Sequence, residues 1–104
     1  MESANTRITY CYRDASNYKF WGEFVVEGQL NRSQLEPYLF DGGWFVPEKV
    51  GLKHLLTEAW SEDDHLLHEL CDFEYTTTSG AICSADLFVE RFKAAHRNDW
   101  FSGY

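Results

Sequence analysis

At 104 residues, with 44% hydrophobic and 17% aromatic side chains, the chain has the size and apolar content of a single domain (1–104) that buries a core, which excludes intrinsic disorder. Seventeen acidic residues against nine basic ones give a formal charge of −8, a field that repels phosphate backbones and argues against direct nucleic-acid binding. No apolar run approaches a membrane span and no leader peptide is legible behind the polar first residues, so a cytoplasmic location with no membrane contact is the expectation.

After a flexible first five residues or so, Arg7 to Arg13 reads as a strand, with Ile8, Tyr10 and Tyr12 alternating against Thr9, Cys11 and Arg13. A polar turn from Asp14 to Asn17 leads into a second strand, Tyr18 to Glu27, and the two make an antiparallel hairpin. Phe20, Phe24 and Val26 share one face of this strand and Trp21 and Val25 the other, which predicts a strand that is central or covered on both sides. Gly22 marks a bulge or a close approach of backbone.

Ser33 and Glu36 fit a capping box that opens a short helix, with Pro37 in its first turn and Gly42-Gly43 as its stop. Trp44 to Val46 is a short strand or an apolar loop. Leu52, Leu55, Leu56, Ala59 and Trp60 recur at helical spacing, so a helix is predicted over Gly51 to Trp60. From Leu67 to Thr77 the period is two, a strand in which Glu69 falls on the apolar side and Leu70 on the polar side. Ser84 caps a closing helix, Ala85 to His96, packed through Leu87, Phe88, Phe92 and Ala95, and residues 97–104 form an aromatic tail. The order β-β-α-(β)-α-β-α predicts an α+β fold: a small antiparallel sheet of about three or four strands with about three short helices on one face.

Cys11, Cys71 and Cys83 are odd in number and lack a CxxC spacing, so they are expected as free thiols rather than a disulfide framework. The stretch Asp63-Asp64-His65-Leu66-Leu67-His68-Glu69 is the densest in acid–base groups, and with Cys71 it spells H-x2-H-x2-C. On a strand, however, His65 and His68 point to opposite faces, and there is no HExxH, GxSxG or glycine-rich phosphate loop. No catalytic residue, metal or cofactor is expected; a small acid–base or metal-assisted enzyme built on this stretch is the rival reading.

Charge placement carries the leading reading. Between Lys53 and Arg91 there are nine acids and no Lys or Arg, while the rest of the chain has eight acids and nine bases. If the 51–60 helix and the following strand are neighbours, Glu58, Glu62, Asp63, Asp64, Asp72 and Glu74 form one negative patch. The expected function is a non-enzymatic protein-binding module, an inhibitor, immunity protein or nucleic-acid mimic that presents this patch to a basic partner such as a nucleic-acid-handling protein. A homodimer through Trp21, Trp44 or the C-terminal aromatics is the other alternative.

Overall fold

The computed structural model of the chain describes residues 5–13, 18–55 and 67–101. Strand β1 (Asn5–Arg13) and strand β2 (Lys19–Glu27) pair antiparallel from Thr6↔Val26 to Arg13↔Lys19. Strand β3 (Trp44–Phe45) pairs with strand β4 (His68–Thr76), and β4 runs antiparallel along the other side of β1. Strand β5 (Cys83–Ser84) adds to β2 in parallel, and helix α1 (Ala85–Arg97) follows directly. The sheet order is β3-β4-β1-β2-β5. The α+β class holds, with two corrections: the sheet has five strands and is mixed, and a single α-helix plus three 3₁₀ turns replaces the expected three helices among the described residues.

Thr6, Ile8, Tyr10 and Tyr12 all point to one face of β1, which is buried against the core. Strand β4 keeps its own apolar residues on that face by a β-bulge. Between Thr9 and Tyr10 the partner on β4 jumps from Asp72 to Leu70, leaving Cys71 as the extra residue. The bulge inverts the alternation, so Phe73 faces inward opposite Ile8 while Leu70 and His68 also face inward and Glu69 faces outward. Both misfits of the strict period-two reading, Glu69 and Leu70, come from this single inserted residue.

Helix α1 closes the inner face. Ser84 caps it by accepting the Leu87 N–H at 3.1 Å, and Ala85, Phe88, Phe92 and Ala95 form its buried stripe. Leu87, expected in that stripe, lies on the outer side, 45% exposed, because position 87 falls off the 85-88-92-95 row. Phe88 meets Phe24 at 5.1 Å between centroids, and Phe92 packs on Phe45 and Trp100. Full burial of such side chains stabilises by about 1.5–3 kcal/mol each. Trp100 folds back into this core and donates its Nε1–H to the Tyr38 carbonyl at 2.8 Å.

The 28–55 region has no α-helix. Residues Arg32–Gln34 and Glu36–Tyr38 make two 3₁₀ turns, anchored by the buried Leu30, Leu35 and Leu39. The cap lies two residues before the expected one: Asn31 N–H donates to Gln34 Oε1 at 2.9 Å. Asp41-Gly42-Gly43 is a hairpin turn rather than a helix stop. Asp41 and Gly42 both have positive φ, 52° and 77°, and the Gly43 N–H reaches the Phe40 carbonyl, as a type I′ turn requires.

Pro47–Val50 forms a third 3₁₀ turn that ends at Gly51 with φ 87°. The helix expected from Gly51 does not begin: residues 52–55 are irregular, and 56–60 lie outside the described residues. Side chains of the sheet take the backbone groups that a helix would use. Tyr10 Oη donates to the Lys53 carbonyl at 3.0 Å, and the Leu55 N–H donates to His68 Nε2 at 3.1 Å. Among the described residues no helix is long and apolar enough to cross a membrane.

Candidate functional site

The face of the sheet opposite α1 is built from the alternate residues of the three long strands. The register aligns Val25–Arg7–Glu74, Glu23–Thr9–Asp72 and Trp21–Cys11–Glu69 across β2, β1 and β4. No described element lies across this face, and Trp21 stands on it 58% exposed. Of the two expectations for β2, a central strand or one covered on both sides, the first holds, since β2 lies between β1 and β5; Phe24 and Val26 are buried on the α1 side, while Trp21 is left in solvent.

Arg7 lies between two carboxylates, with Nε 3.8 Å from Glu23 and Nη1 3.6 Å from Glu74. Arg13 Nε is 3.8 Å from Glu69, and the Lys19 ammonium lies 5.7 Å from the Trp21 ring centroid. Such exposed pairs contribute about 0–1 kcal/mol and exchange readily for other partners. Glu23, Glu27, Glu69, Asp72 and Glu74 against Arg7, Arg13 and Lys19 leave the face with two more carboxylates than cations.

Of the six carboxylates expected to form the acidic patch, Asp72 and Glu74 sit exposed on this outer face. Glu58, Glu62, Asp63 and Asp64 lie outside the described residues, as does His65. Glu23 and Glu27, two strands away, share the face with Asp72 and Glu74 and escaped sequence reasoning. They lie outside the acidic segment, and only the pairing of β2 with β1 and of β1 with β4 brings them near it.

Asp63, Asp64 and His65 of the rival, enzymatic reading lie outside the described residues, and its described groups diverge. His68 is fully buried on the inner face, Glu69 faces outward toward Arg13, and Cys71 stands in the bulge with its Sγ 3.4 Å from Cys11 Sγ. His68 instead meets His54, whose ring lies perpendicular at 4.4 Å between centroids, and Tyr12 packs on both imidazoles. His68 accepts the Leu55 N–H at Nε2. The geometry fastens the 53–55 segment to the sheet. No spacing pattern signals the His54–His68 pair, since the two reach each other through a loop. Among the described residues no group of three His, Cys, Asp or Glu is placed to hold a metal.

A shallow cleft of about 320 Å³ lies between the Leu39–Asp41 turn and the end of α1, edged by His96, Arg97 and Asp99 with Trp100 beneath. Asp41 and Asp99, the two non-glycine residues with positive φ among those described, both line it. Each has a local reason: Asp41 opens the type I′ turn, and Asp99 follows the α1 C-cap in the left-handed position that ends helices, where its Oδ1 accepts the Phe101 N–H.

Compared with known families, curated proteins and solved structures, the chain matches no family model, no curated protein and no solved structure.

Proposed function

We propose that the chain is a protein-binding module that docks a basic partner on the outer face of its sheet, with Trp21 as the anchor. The supporting observation is one surface that combines an aromatic ring 58% exposed, no covering element among the described residues, and an excess of carboxylates. Aromatic anchors dominate interface energetics, and a ring of like charge steers an oppositely charged partner and fixes its register. Glu58, Glu62, Asp63 and Asp64, in the segment that leads into β4, extend the same acidic character along the chain. The partner class that this chemistry fits is a protein with a cationic surface, of the kind that handles nucleic acid, and the module would act on it as an inhibitor or mimic of the nucleic acid.

Docking on the face is favoured over strand addition at the β4 edge. Arg32 Nη2 donates to the Leu70 and Cys71 carbonyls at 3.0 and 2.7 Å, and its guanidinium lies over the Phe73 ring. That side chain occupies the carbonyls an added strand would need.

The test is affinity capture from the native host with the wild-type chain, Trp21→Ala, and Leu87→Ala as a control on the helix surface. A partner retained by wild type and Leu87→Ala, lost with Trp21→Ala and released by added salt supports the reading. A partner retained by Trp21→Ala, or one indifferent to salt, overturns it.

A further inference from the structure

Cys11 and Cys71 are 60 residues apart in sequence and 3.4 Å apart at their sulfurs. Two features of the sheet bring them together. The β1–β4 pairing places Cys11 opposite Glu69, and the bulge inserts Cys71 between the neighbouring Tyr10–Leu70 and Thr9–Asp72 pairs as the residue with no partner of its own in the ladder. The Cys71 thiol donates toward Cys11 Sγ, with its own Glu69 carbonyl a second acceptor at 3.8 Å. Cys83, on β5 beside Val26, belongs to the far side of the sheet. We propose that Cys11 and Cys71 are a reversible oxidation site that closes into a disulfide across the β1–β4 bulge when the protein meets a peroxide. The inference goes beyond the docking reading and does not depend on it.

The chemistry follows from the different exposure of the two sulfurs. Cys11 is 1% exposed, whereas Cys71 is partly open to solvent and is the sulfur a small oxidant reaches. The Cys71 thiolate attacks one peroxide oxygen, the O–O bond breaks, and a sulfenic acid forms with release of water after proton uptake. The Cys11 sulfur then attacks the sulfenic sulfur, the S–O bond breaks, and a second water leaves. Two thiols lose two protons and two electrons, and one peroxide is reduced to two waters. Closing the remaining gap to a bond of about 2.05 Å needs side-chain rotation at two neighbouring positions, and the bulge gives Cys71 freedom from the regular ladder. Burial, and next the contact with Cys11, push the Cys71 thiol up to about 12, so the attack is slow at neutral pH and speeds up under alkaline conditions.

The experiment uses the full chain at mildly alkaline pH with a small excess of hydrogen peroxide, followed by alkylation, non-reducing digestion and mass spectrometry. The expected product is a monomer lighter by two hydrogens, containing a Cys11–Cys71 linked peptide that dithiothreitol returns to two alkylatable thiols. Cys83→Ser keeps the link, and Cys11→Ser replaces it with oxygen adducts on Cys71. Recovery of Cys11 and Cys71 in separate peptides, each alkylated or separately oxidised, overturns the proposal. So does a link to Cys83 or between two chains.

Discussion

Leu55 lies directly over Gly22: a Cβ at position 22 would stand 2.6 Å from the Leu55 Cδ2 and 3.1 Å from the Tyr10 ring. The glycine therefore belongs to the close approach of the 52–55 segment to β2, and the bulge in this sheet is on β4. Gly22→Ala is expected to push Leu55 off the sheet at a cost of roughly 1–3 kcal/mol, the range for overpacking a tight contact. Urea unfolding checks it, with the midpoint lowered and the slope unchanged.

Thr6 is fully buried and makes two hydrogen bonds through one hydroxyl. It donates to the Gly28 carbonyl at 2.8 Å and accepts the Leu30 N–H at 3.0 Å, which holds the turn out of β2 against β1. Thr6→Val keeps the shape and strands both backbone groups. The expected loss is about 1–3 kcal/mol, whereas Thr6→Ser retains most of the stability. Thermal unfolding of the two variants side by side separates the hydroxyl from the methyl.

Stability is expected to fall on the alkaline side. Burial raises Tyr10 above its ordinary 10.0 and Cys83 above 9.0, and raises Cys71 from 9.0 to about 12. The unfolded chain then gives up these protons first, so above about pH 9 the folded state holds more protons and rising pH favours unfolding. The contribution is fully present below pH 9 and is lost as pH climbs through the raised values. Cys71→Ala makes the fall shallower, a difference that denaturant midpoints measured from pH 7 to 11 reveal.

Arg32 closes the β4 edge with one guanidinium on two carbonyls. Arg32→Met preserves length and packing on Phe73 and frees those carbonyls. The expected outcome is concentration-dependent self-association stronger than that of wild type measured alongside, read by sedimentation.

Much of the sheet was legible in the residues themselves. The alternation of Ile8, Tyr10 and Tyr12 marks β1, Phe88, Phe92 and Ala95 with Ser84 before them mark α1, and both elements stand where the pattern puts them, Leu87 alone falling outside the expected stripe. What escaped was decided between distant segments. The bulge at Cys71 answers to the register of β4 on β1, which no local period records. Leu52 and Leu55 have helical spacing, yet Tyr10 and His68 claim the backbone around them. The candidate site was half legible for the same reason: Asp72 and Glu74 advertise themselves in an acidic run and Trp21 stands out as a contact residue, but Glu23 joins them only through strand pairing.

The most direct test of the docking account is the affinity of the captured partner at two salt concentrations for wild type, Trp21→Ala, and a chain with Glu23→Gln, Asp72→Asn and Glu74→Gln together. The account predicts that Trp21→Ala weakens binding by roughly 30-fold or more at both concentrations, as a hot-spot anchor does. It also predicts that the triple variant binds less tightly and loses much of its salt dependence. Affinities and salt dependence equal to wild type in both variants would contradict it.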